Sequence, residues 1–159
     1  MGDPAVFAIL IIIVAAICYF DFRFFVVPDW LNLLLFGTGI MMKGLAGWHD
    51  AVMALLVATG VSLMLFLVRE VHRRYTGRIG LGLGDVKLAG ASSVWFSPWN
   101  FPLYLFFASL TALIYYALRY GISGRESRTL RIPFGPFLGL ALLATWGAEH
   151  IGYFKFAPQ

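Results

Sequence analysis

Two aspartates stand apart from the other charges of this sequence. Asp21 lies in Phe20-Asp21-Phe22-Arg23-Phe24-Phe25-Val26-Val27-Pro28, an aromatic and apolar stretch that suits a carboxylate only if it has a task. Asp85 closes Gly82-Leu83-Gly84-Asp85, just ahead of a run of small residues. Two carboxylates brought within a few ångströms cannot both ionise cheaply, so they share a proton and their apparent pKa values split. One can then activate water while the other protonates a carbonyl oxygen, which is what aspartic peptide hydrolysis requires. Glycines at 82 and 84 would let a substrate backbone approach closely. The same residues admit a plainer reading, in which Gly-Leu-Gly-Asp is a turn, Asp85 a helix cap and Asp21 the partner of an arginine. A lone Gly-x-Gly-Asp does not separate the two.

The remaining acids are less informative. Asp3, Asp50, Glu70, Glu126 and Glu149 read as solvated loop charges. Asp29 follows Pro28 and opens a helix, where a carboxylate can accept the orphan N–H groups of the first turn. Other chemistries lack their residues. His49, His72 and His150 lie in separate regions, without the His-Glu-x-x-His spacing of a metallopeptidase. Cys18 is the one cysteine, so neither an internal disulfide nor a thiolate zinc cage is available. A Walker-type phosphate loop is absent. Gly121-Ile122-Ser123-Gly124 matches the turn of a membrane serine peptidase, but its later histidine, His150, belongs to the opposite membrane face by the topology below.

The elements that must position the aspartates follow from composition. Of 159 residues, 60% are hydrophobic and 13% charged, against about 25% charged in soluble domains. So few charges cannot clothe a water-soluble enzyme, and disorder or a collagen-like repeat is excluded with it. The reading is an all-α membrane protein, one domain over 1–159. Helices are expected at about Pro4–Phe20, Trp30–Leu45, Ala51–Val68, Asp85–Phe96, Pro102–Leu118 and Phe134–Ala148. That makes a polytopic bundle of about six transmembrane helices, or five if the short, small-residue fourth is re-entrant. The first segment has no basic n-region, with Asp3 ahead and Arg23 behind, and reads as retained rather than cleaved.

Net charge of +4 would suggest nucleic acid in a soluble chain, but here it reports topology and no nucleic-acid partner is expected. Ten of the twelve Lys and Arg residues fall in the connections after helices 1, 3 and 5, including Arg69, Arg73, Arg74 and Arg78 between helices 3 and 4. The positive-inside rule places those connections in the cytoplasm and both termini outside. Asp21 and Asp85 then share the cytoplasmic end. Trp30, Trp48, Trp99 and Trp146 lie near helix ends, as interfacial indoles do.

Three motifs in order resemble one family. Asp21-x-Arg23 with Val27-Pro28-Asp29 and Asn32, then Gly82-Leu83-Gly84-Asp85-Val86-Lys87, then Ile132-Pro133-Phe134-Gly135-Pro136-Phe137, resemble the type IV prepilin peptidases. The short length is similar to the Tad/Flp-type members. The resemblance implies a bacterial inner-membrane aspartic endopeptidase with Asp21 and Asp85 as the catalytic pair. It implies a prepilin or pseudopilin substrate, cut at the cytoplasmic face just before its hydrophobic helix. Gly82, Gly84, Pro28, Asp29, Pro133, Gly135 and Pro136 would support the site. Lys87 would tune a carboxylate, hold substrate or meet lipid phosphate. No metal, nucleotide or organic cofactor is implied. Larger members carry a cytoplasmic segment with four zinc-binding cysteines and also N-methylate the product; the resemblance here supports the peptidase activity alone. The competing reading is a non-enzymatic membrane solute-binding or transport component whose acids pair with Arg23 or Lys87.

Overall fold

The computed structural model describes residues 4–78, 80–120 and 133–151. In order these form α1 (Pro4–Phe24), α2 (Asp29–Ala46), α3 (Trp48–Thr76), α4 (Leu83–Ser92), a 3-10 turn (Pro98–Asn100), α5 (Phe101–Tyr120) and α6 (Gly135–Ile151). Three stretches, Pro4–Phe24, Trp48–Thr76 and Pro98–Arg119, are long and apolar enough to cross a membrane. The protein is an all-α membrane protein. Large apolar side chains such as Ile12, Leu33, Leu45 and Leu113 stand outward, where lipid rather than water accounts for them.

α4 is the helix around which the site is built. Its ten residues reach about 15 Å, half of the roughly 30 Å hydrocarbon core. It packs against α2, α3 and α6, and Val86, Leu88, Ala89, Gly90, Ala91 and Ser92 are all buried. Lipid gives little hydrophobic drive to helix association, so close packing of small residues must supply it. Gly90 meets this need: a Cβ there would collide with Ser62 Oγ and crowd the Ala58 carbonyl of α3. Beyond α4, the Trp95 indole lies over Gly39 and its Nε1–H donates to the Leu35 carbonyl at 3.0 Å.

Several boundaries differ from the sequence expectation, each for a local reason. α1 continues past Phe20, which brings Asp21 inside its last turns. It stops where Phe25 turns left-handed, φ 53°, with its N–H donating to the Asp21 carbonyl at 2.9 Å. A phenylalanine holds that conformation only under constraint. α3 runs to Thr76, so Arg69, Arg73 and Arg74 sit on a helix rather than in a connecting loop. Glu70 pairs with Arg73 at 2.7 Å and Arg74 at 3.0 Å, side chains at i+3 and i+4 that support exposed turns. Gly77, left-handed at φ 67°, ends the helix.

Two further expectations are corrected. Trp146 is buried, stacked on Phe7 at 5.3 Å, whereas Trp30, Trp48 and Trp99 are exposed as interfacial indoles should be. Glu149 is not a solvated charge. It accepts the Ser97 N–H at 2.8 Å and the Asn100 amide at 2.9 Å, pinning the 3-10 turn to the end of α6. Asp3, Ile132, Lys155 and the Gly121–Arg131 stretch, with Ser123 and Glu126, lie outside the described residues.

Candidate active site

Helical periodicity aims Asp21 inward. Leu10, Ile13, Val14 and Ile17 are the buried stripe of α1, and Asp21 continues it at the next helical step. The residue is only 5% exposed. Its Oδ2 accepts the N–H of Gly135 at 2.8 Å. Gly135 is the first residue of α6, and first-turn amides have no partner within their own helix. Pro136 suits that first turn because its missing N–H would be unpaired there anyway. A side chain at 135 would force the carboxylate to shift: its Cβ would stand 2.8 Å from Asp21 Oδ2.

Asp85 is the third residue of α4, and Gly82 is the extended N-cap at ψ 146°. Its carboxylate lies back against Gly82, where a Cβ would stand 2.9 Å from Oδ2. Asp85 lies outside the three candidate spans. Burial, and then the charge of Asp21, push its carboxyl from the ordinary 3.8 up to about 6, against the opposing Gly82 hydrogen bond. The second cause ties the two aspartates into one electrostatic unit. Among the described residues neither forms an ion pair. The guanidinium of Arg23 lies 6.0 Å from the Phe24 ring centroid.

The three motifs converge through a residue that sequence reasoning passed over. Val27 is buried in the link between α1 and α2. A Cβ at Gly84 would lie 3.6 Å from Val27 Cβ, and one at Gly135 would lie 3.2 Å from Val27 Cγ2. Val27 therefore wedges the starts of α4 and α6 against the end of α1. A Cβ at Gly82 would stand 2.9 Å from Asp85 Oδ2, whereas at Gly84 the 3.6 Å to Val27 is ordinary van der Waals contact. Pro133, Gly135 and Pro136 are buried, and Pro28 is the half-buried N-cap of α2.

The third charged pair is peripheral. Asp29 is the first residue of α2, but its carboxylate accepts Lys87 Nζ at 2.7 Å instead of capping the helix. Both side chains are more than half exposed. Lys87 thereby ties α4 to α2 and is drawn to Asp29. Among the described residues no three His, Cys, Asp or Glu side chains gather as metal ligands. The amide of Gly135 was the other unforeseen partner; the Gly135-Pro136 start of a helix was its one signal in the sequence.

A family model described as the type IV leader peptidase family matches residues 8–117, a stretch that holds both aspartates. The chain belongs to the type IV leader peptidase family. It is 33% identical over 145 residues to a prepilin leader peptidase/N-methyltransferase of Dichelobacter nodosus, covering 90% of this chain and 49% of that protein. A protein of the same description from Legionella pneumophila is 30% identical over 151 residues, covering 93% of this chain and 52% of its own length. One from Aeromonas salmonicida is 28% identical over 137 residues. The chain spans about half the length of the curated relatives it matches. No solved structure shows a significant match.

Proposed function

We propose that this protein is an aspartic endopeptidase that removes the leader peptide of prepilins or pseudopilins at the cytoplasmic face of the bacterial inner membrane. The observation that carries the reading is the buried Asp21, held by the start of α6, with Asp85 close enough to feel its charge. Asp85, raised to about 6, holds a proton more readily than an ordinary carboxyl. It serves as the acid, and Asp21 as the base. Asp21 takes a proton from water, whose oxygen attacks the scissile carbonyl carbon. Asp85 gives its proton to the carbonyl oxygen, forming a tetrahedral diol. The diol collapses as Asp21 gives its proton to the amide nitrogen and the C–N bond breaks, while Asp85 takes a proton back from a diol hydroxyl; the amine leaves and the new carboxyl group remains on the leader.

Family membership and the named activity of the relatives support this substrate. The gathering, in sequence order, of ten of the twelve basic residues at the ends of α1, α3 and α5, the start of α4 and the connections between them supports the cytoplasmic placement and a multi-pass arrangement with outside termini. Membranes containing this chain should shorten a pilin-like precursor at the junction of its polar leader and apolar helix, read by mass spectrometry. An uncut precursor at matched protein levels would sink the proposal.

A further inference from the structure

An open groove of about 810 Å³ runs along the outside of α4; Asp29 and Lys87 line it, and neither Asp21 nor Asp85 does. Its floor is α4 from Leu83 to Ala91, its walls α2 and the Ala58–Phe66 stretch of α3. Eight residue steps on α4 and on α3 give it a length of about 12 Å. It begins at the catalytic end: Leu83 and Val86, which line it, flank Asp85 in the same turn of α4. From there it follows the helices into the apolar layer.

Two features say what fits. Ala58, Ser62, Gly90 and Ala91 make part of its lining small, the kind of surface on which another helix packs closely. In the α2 wall, Asn32 is 6% exposed, and neither Oδ1 nor Nδ2 has a partner. An unpaired buried carboxamide is destabilising. The first turn of an incoming helix offers N–H groups that have no partner within it, whereas a lipid acyl chain offers none.

We infer that this groove seats the apolar helix of the substrate on the carboxyl-terminal side of the scissile bond, with Asn32 receiving backbone polar groups of that segment. The inference rests on the peptidase reading and gives the protein a docking track beside its chemistry. Cleavage at the start of an apolar helix demands such a track, because the bond to be cut must be held at the membrane surface while the helix stays in lipid.

The test uses the full chain in lipid bilayers and a synthetic peptide with a polar leader followed by an apolar helix. A benzophenone amino acid replacing Leu63 in the groove should cross-link to the peptide's apolar segment. The same probe replacing Leu113, exposed on α5, should not. Thr59→Trp, which fills the groove from its α3 wall, should raise KM at least about tenfold with kcat little changed. Cleavage of a shortened peptide without the apolar segment should be unaffected by Thr59→Trp. Asn32→Leu should raise KM while leaving thermal stability equal or higher; a merely structural Asn32 would instead lower stability and leave KM alone. Cross-linking at 63 to lipid or to a second copy only, or unchanged KM in Thr59→Trp and Asn32→Leu, would overturn the groove assignment while the peptidase reading stood. Specific cross-linking at 63 without cleavage of any peptide would remove the peptidase reading and leave the groove as a helix-docking site.

Discussion

Gly135 and Glu149 lie near opposite ends of α6, about 21 Å apart along its axis, and at each end a carboxylate accepts a backbone N–H at 2.8 Å. At the far end Glu149 also takes the Asn100 amide, so one oxygen gathers two donors and fastens the 3-10 turn. At the near end Asp21 receives a single N–H, from Gly135, and has a second carboxylate as neighbour. One carboxylate is satisfied and holds structure. The other has one backbone donor and like charge beside it, an arrangement that costs stability and favours a bound proton.

Neutralising each carboxylate tests this contrast most severely. Asp21→Asn and Asp85→Asn should each lower precursor cleavage at least about a thousandfold, near the upper range of acid–base effects, with the protein still inserted and abundant. The double variant should be scarcely slower than either single one, because the two act as a unit. Glu149→Gln should cleave within about twofold of the unaltered protein while losing roughly 0.5–1.5 kcal/mol of stability, the cost of weakening part-buried hydrogen bonds. Near-normal cleavage by either aspartate variant would erase the distinction between the two ends.

A glycine-to-alanine comparison along the same helix is the next sharpest. Gly135→Ala puts a methyl group 2.8 Å from Asp21 Oδ2 and 3.2 Å from Val27 Cγ2. Cleavage should fall about a hundredfold, as expected when a reacting group is displaced by about an ångström. Gly147→Ala meets nothing within 4 Å. It should leave the rate unchanged and stabilise α6 by roughly 0.5–1 kcal/mol. Equal rates for the two variants would show that the Gly135 contact does not position the carboxylate.

The pH dependence of stability gives a further handle. With Asp85 raised from 3.8 to about 6, the folded protein binds more protons than the unfolded chain between those values. Stability therefore falls as pH rises through that window. Asp85→Asn should shrink this fall by removing the titrating carboxyl, and Asp21→Asn should shrink it by removing the second cause of the shift. Thermal unfolding in detergent across pH 4 to 7 would read it, and a flat profile for the unaltered protein would contradict the coupling. The smallest effect is expected at the exposed Lys87–Asp29 pair. Asp29→Asn should cleave within about threefold of the unaltered rate, since exposed pairs contribute little.

Much was legible in the sequence because lipid imposes strong constraints. A 60% hydrophobic chain with 13% charge has few outlets except a helical membrane protein, and all six helices appear where apolar runs stood. Asp21 and Asp85 were conspicuous because unpaired carboxylates in apolar surroundings are rare. Helix ends were read less well. Polar residues such as Glu70, Arg73 and Arg74 support one another on a helix surface, so loss of hydrophobicity at Val68 did not end α3.

What the sequence determined by itself was the set of helices and the presence of two carboxylates in apolar surroundings, both properties of local composition and period. Tertiary structure decided which distant groups meet. The N–H of Gly135, 114 residues from Asp21, is invisible as a partner until α6 packs on α1. Val27 became the wedge between two glycines only when α4 and α6 met the α1–α2 link. Lys87 lies two residues from Asp85 in sequence yet pairs with Asp29 across the gap to α2. Sequence spacing fixes neighbours along one helix; hydrogen-bond and charge partners between helices depend on packing, which no local pattern encodes.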